Sequence, residues 1–185
     1  MDDSGLPSVA LQVCRKQEKI VVGVAVLSRK ETSLVDDDSK KWIFEAYDFI
    51  DNDQLSNIDS VLVRLGNCTL YLCDDSDSPA AKKLHKQVMN VLQNRTAEVV
   101  LTKKSFFGKA KGDIDNALVK LIGQLSQAVN AAESEHPLAY GCLGCLIFSR
   151  QLLDSSSDSA CPLGSCELKI GSLNSYMRLD SAAAD

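Results

Sequence analysis

Eight consecutive apolar residues, Ile20-Val21-Val22-Gly23-Val24-Ala25-Val26-Leu27, constrain this chain more than any other stretch. They are rich in β-branched side chains and show no polar alternation, which predicts a strand covered on both faces. A sheet buried on both sides needs helices or a second sheet above and below it. Val9 to Cys14 predicts a short strand before this run, with Gln17-Glu18-Lys19 as the turn, and Trp42 to Phe49 predicts a third strand after it. Between the last two, Glu31 to Lys41 reads as a solvent loop. Its Asp36-Asp37-Asp38 lacks the alternating acids and the glycine of a calcium loop. Short or polar connections of this kind predict an antiparallel meander.

The pattern then changes. Asp51-Asn52-Asp53 supplies capping oxygens for a helix over 53–65, whose apolar positions Leu55, Ile58, Val61, Leu62 and Leu65 keep helical spacing before Gly66. Cys68 to Cys73 follows as an uncharged strand typical of the middle of a parallel sheet, ending in Asp74-Asp75. Ser78-Pro79 opens a second helix running to Asn94, with Leu84, Val88, Val91 and Leu92 in one stripe. Glu98 to Thr102 reads as the next strand. Helix, strand, helix, strand is the signature of right-handed parallel crossovers.

Beyond the basic stretch Lys103–Lys111, apolar residues from Ile114 to Val129 predict one helix starting at Asp113 and spanning some four turns. A polar break over Asn130–His136 and Pro137 precede an all-apolar helix, Leu138 to Leu153, in which Gly141 and Gly144 permit close approach. Cys166, Leu168 and Ile170 alternate with Glu167 and Lys169, as in a half-exposed edge strand. The expected fold is therefore α/β, a ribonuclease-H-like mixed sheet in which an antiparallel meander is followed by parallel helix–strand units, flanked by helices. A flavodoxin-like sheet would need a helix after its first strand, and none precedes Asp51.

The 185 residues, 45% of them hydrophobic, suffice for one full core. A net charge of −5 argues against a free-standing nucleic-acid binder. The charge is uneven: residues 61–111 hold nine basic and four acidic side chains, while the segments on either side are acidic. This basic middle, with Phe106-Phe107 in it, is a candidate contact surface. The absence of a signal peptide and of any 18-residue apolar span implies a reducing intracellular compartment, where Cys14, Cys68, Cys73, Cys142 and Cys145 act as buried apolar side chains.

Three chemistries are weighed against this background. A metal-dependent nuclease would need carboxylates converging on divalent cations, one of them on the first strand. Asp74 and Asp75 are candidates, but Val9–Cys14 and Ile20–Leu27 contain no acid, so Asp74, Asp75 and Asp77 read as turn and helix-start residues. A zinc site from Cys142, Cys145, Cys161 and Cys166 is disfavoured by the wide second spacing and by the helix around the first pair. His85 and His136 lack a nucleophile in a strand–turn–helix context and read as surface residues. No glycine-rich turn is present to cradle a phosphate.

Four stretches carry a resemblance. Tyr176-Met177-Arg178-Leu179-Asp180-Ser181-Ala182-Ala183 resembles the junction between connector and lever helices in MutS-family mismatch repair proteins, most closely the eukaryotic MutS homologue 2 branch. Phe49 to Ile58 is similar to that family's strand-to-helix passage. Leu101-Thr102-Lys103-Lys104 with Phe107 is similar to its Thr-x-x-Lys-Lys-x-x-Phe segment, and Ala139 to Leu153 to its buried helix. The resemblance covers about residues 20–185. It implies a connector domain over 20–175, preceded by an N-terminal segment 1–19 with a candidate first strand and followed at 176–185 by the start of the lever junction. It further implies a non-catalytic docking and allosteric role in a nuclear repair ATPase, with no cofactor in this fragment and ATP and magnesium bound elsewhere in the parent protein. The implied partners are a second MutS-family subunit and a MutL homologue, with DNA met through the whole protein, weakly or not at all by this domain alone, and no membrane. The implied partner surface is Lys103, Lys104, Phe106, Phe107, Lys109 and Lys111. The alternative is a standalone ribonuclease-H-like nuclease using Asp74 and Asp75 with a divalent metal.

Overall fold

A computed structural model describes residues 5–30, 41–95, 98–124 and 126–172. The predicted meander is present as β1 (Ser8–Lys16), β2 (Lys19–Arg29) and β3 (Trp42–Asp51). Then come α1 (Ser56–Leu65), β4 (Thr69–Asp74), α2 (Pro79–Gln93) and β5 (Glu98–Lys103). After a single 3-10 turn at Lys104–Phe106, the chain continues through α3 (Lys111–Ile122), α4 (Gln127–Glu135), α5 (Pro137–Ser149) and β6 (Cys166–Ile170). The strands form one six-stranded sheet in the order β5-β4-β1-β2-β3-β6. β1, β2 and β3 are antiparallel neighbours, while β4 joins β1, β5 joins β4 and β6 joins β3 in parallel. The sheet is thus the mixed α/β arrangement that the sequence predicts. Tyr176–Ala183 and Asp36–Asp38 lie outside the described residues.

Strand alternation divides the core into two layers. Val9, Leu11, Val22, Val24, Leu70 and Leu72 face α1 and α2, packing on Ile58, Val61, Leu84 and Val88. Ala10, Ala25, Leu27, Phe44, Ala46 and Cys73 face α3, α4 and α5. On this second face Ala10, Ala25 and Ala46 stand directly opposite one another across β1, β2 and β3. Three alanines in a row leave a shallow trough, and α5 lies in it. Its residues from Ala139 to Ile147 are all buried, and each of Leu143, Leu146 and Ile147 contributes on the order of 2 kcal/mol.

The approach of α5 is set by glycine. A Cβ on Gly23 would stand 2.4 Å from Leu138 Cβ and 2.7 Å from the Ala139 nitrogen, so the first turn of α5 rests on the backbone of β2. Gly141, as expected, admits backbone: a Cβ there would meet the Phe107 carbonyl oxygen at 2.6 Å. At Gly144 the close neighbour is instead the Ile114 side chain.

Several boundaries differ from expectation, beginning with α1, which starts at Ser56 rather than at 53. The helix predicted from Asp113 to Val129 is two helices, because Gly123 takes φ 89° and its N–H closes α3 on the Val119 carbonyl. The apolar register continues across this stop, which is why periodicity alone merges them; Leu125 lies outside the described residues. The polar stretch Asn130–His136, expected to break the chain, is mostly the body of α4, anchored by buried Val129 and Ala132. The apolar helix ends at Ser149 rather than Leu153, since Gln151 turns to φ 53°. Leu152 nevertheless remains buried.

Helix starts follow local chemistry. The Ser78 hydroxyl accepts from the Ala81 N–H at 3.1 Å ahead of Pro79, as predicted. At α1 the cap is Asp51: its carboxylate accepts from the Asn57 N–H at 3.0 Å and the Ile58 N–H at 2.9 Å. Asn52 adds a bond from the Ser56 N–H at 3.2 Å, whereas Asp53 is exposed and pairs loosely with Arg15.

Candidate functional site

β1, β4 and β5 all end at one rim of the sheet, where open α/β folds place their ligands. A cavity of about 290 Å³ lies here between the ends of β1 and β4 and the first turns of α2. Its lining includes Cys14, Asp75, Asp77, His85, Val88 and Lys104. The Lys104 ammonium reaches across the rim, 2.9 Å from Asp77 Oδ2 and 3.5 Å from Asp75 Oδ1. The hydrogen bond to Asp77, then the charge of Asp75, holds its pKa above the ordinary lysine value. Lys104 therefore stands beside the two acids, while Asp74 is exposed and pairs in register with Lys103. His85 lines the cavity and is half-buried, not the plain surface residue expected.

The basic segment that follows divides sharply. Phe107 is 5% exposed and belongs to the core under α5, so it offers no contact surface. Phe106 is half-buried against the same cluster. Lys109 places its ammonium 5.1 Å from the centre of the Phe106 ring and 5.4 Å from that of Phe148, a favourable cation–π position. Lys111 is 2.9 Å from Glu133 Oε1, and that hydrogen bond raises its pKa. Tyr140 ties the same corner together, donating to Asp115 Oδ1 at 2.5 Å and lying 3.0 Å from the Lys111 carbonyl. Among the described residues, Lys103 and Lys109 are the two lysines of this segment with no carboxylate partner. The structure thus brings Lys104 to the acids, sends Phe107 inward, leaves Lys103 exposed and lays half-buried Lys109 over Phe106 and Phe148.

The cysteines are free thiols. Cys142 lies against the Gly23 carbonyl at 3.4 Å. Burial pushes Cys73 up to about 11 and Cys145 up to about 12. Cys161 is lowered by a hydrogen bond from Cys166. Cys14 is half-buried rather than buried. Among the described residues, no group of three or more His, Cys, Asp or Glu side chains is arranged to hold a metal ion.

One polar constellation has no local sequence signal. The Asp48 N–H donates to His136 Nδ1 at 2.8 Å, and the Asp48 carboxylate accepts from Leu138 N–H at 3.1 Å and Ala139 N–H at 2.7 Å. Burial raises the Asp48 pKa, while these two amides and His136 pull it back. Asp48 thus caps α5 from the neighbouring strand, and His136 is a half-buried acceptor instead of a surface residue. Its partner lies 88 residues away, beyond the reach of any spacing rule.

No protein-family model matches the chain. The DNA mismatch repair protein MSH2 of Saccharomyces cerevisiae is 29% identical over 136 residues, which are 74% of this chain and 13% of the yeast protein. The chain therefore spans a small fraction of that relative's length. No helix among the described residues is long and apolar enough to cross a membrane. This similarity supports a MutS-family mismatch repair relationship.

Proposed function

We propose that this domain is a non-catalytic connector and protein-docking module of a larger, nuclear mismatch repair ATPase. The observation that carries this reading is the similarity to yeast MSH2 over 74% of the chain. In this role the parent protein binds ATP, magnesium and DNA through other regions. It pairs with a second MutS-family subunit and presents this domain to a MutL homologue. The nuclease alternative finds little support: β1 and β2 supply no matching carboxylate, and Lys104 already pairs with Asp75 and Asp77.

The test is calorimetric binding of a MutL homologue to this chain, run beside a nuclease assay with magnesium. At least tenfold weaker binding by the Lys103→Glu/Lys109→Glu double variant, with no cleavage by either protein, is the expected result. Magnesium-dependent cleavage abolished by Asp74→Asn, or no binding at all, sinks the reading.

A further inference from the structure

We propose that β5 accepts an extended, acidic segment of a partner protein as an added strand. This rests on the docking role above and assigns its chemistry to main chain more than to loop side chains. β5 ends the sheet and pairs with β4 over six residues without a bulge. The Glu98 N–H donates to the Cys68 carbonyl at 3.1 Å. Alternation in a parallel ladder therefore directs Glu98, Val100 and Thr102 toward β4, and the N–H and C=O of Val99, Leu101 and Lys103 toward the open side.

Edges are commonly blunted by proline, bulges or a covering helix. α3 and α4 lie against the opposite edge strand, β6, whereas β5 makes most of its contacts with β4. β5 contains neither proline nor bulge, and Leu101 is 54% exposed. The occupant's charge follows from the surroundings. Exposed Lys82, Lys83 and Lys86 lie on α2, the helix that leads into β5, and exposed Lys103 stands on the edge itself. Main-chain pairing supplies the affinity and tolerates many sequences, so side-chain charge sets the preference.

The probe is an eight-residue peptide of alternating valine and glutamate, N-methylated on alternate residues so that a single edge can pair. Its valine–lysine counterpart is the control. Amide exchange by NMR is expected to slow at least tenfold at Val99, Leu101 and Lys103 with the glutamate peptide and to change little with the lysine peptide. Leu101→Pro removes one outward N–H but none of the donors to β4, and abolishes binding. Lys103→Glu keeps every main-chain group of the edge and transfers the preference to the lysine peptide. Unchanged exchange at the three amides, or glutamate-peptide binding that survives in both variants, overturns the proposal. A MutL homologue that binds without protecting these amides overturns it too, and leaves the docking function standing. Peptide protection without MutL binding supports the edge and removes the docking partner.

Discussion

Asp48 and His136 hold each other from opposite ends of a helix start: the Asp48 N–H donates to His136 Nδ1, and the Asp48 carboxylate takes the next two free amides of α5. A buried, apolar helix cannot satisfy its first N–H groups with water, so β3 supplies the oxygens. Because burial outweighs the hydrogen bonds, the carboxyl titrates above its ordinary value. A raised folded-state pKa means a contribution fully present below the unfolded pKa and lost as pH rises through the folded one. The wild type should therefore gain stability relative to Asp48→Asn as pH falls from 7 to 4. Urea midpoints across this range decide the matter, and a difference that moves toward Asn on acidification contradicts it.

Gly23→Ala should cost roughly 2–3 kcal/mol, because the new methyl would overlap Leu138 and the Ala139 nitrogen with no flexible chain end to yield. Gly112→Ala in α3, with nothing within 4 Å of the new atom, should be neutral or stabilise by about 0.5–1 kcal/mol. Chemical denaturation of the two variants side by side separates close approach from a general aversion to alanine.

The β1–β2 turn places Gln17 at φ 49° and Glu18 at φ 69°, both in the left-handed region. Two-residue hairpins of this hand favour Asn-Gly. Glu18→Gly should stabilise the fold by about 1 kcal/mol. The check is a rise in thermal midpoint with unchanged amide shifts in β3.

Phe107→Ala should destabilise by about 3–5 kcal/mol, since it empties a core position. Lys103→Ala should stay within about 0.5 kcal/mol. A binding loss in the phenylalanine variant is accordingly uninterpretable until its melting curve is known. The lysine variant reads contact directly.

The meander, both parallel crossovers and the edge strand β6 were legible because each is written in local periodicity and capping. Ser78-Pro79 is the plainest case. What escaped was tertiary. Gly123 stops a helix whose apolar register runs on, so pattern and backbone disagreed there and backbone prevailed. Phe106 and Phe107 are adjacent and alike, yet Phe107 is buried and Phe106 only half-buried, and the Phe107 carbonyl lies close against Gly141 of α5. Charge marks out the basic segment, but not that Asp75, Asp77 and Glu133 engage two of its lysines.

The trough of Ala10, Ala25 and Ala46 has a consequence for synthesis. Its three strands are complete once the ribosome has passed Asp51, but their cover spans Ala139 to Ile147. Nearly ninety residues must be translated while that apolar floor stays unroofed by α5, a matter of several seconds at about 5–20 residues per second. The newborn chain thus carries a sticky, half-built sheet while those residues are made, and it is the arrival of α5, from far along the chain, that closes it.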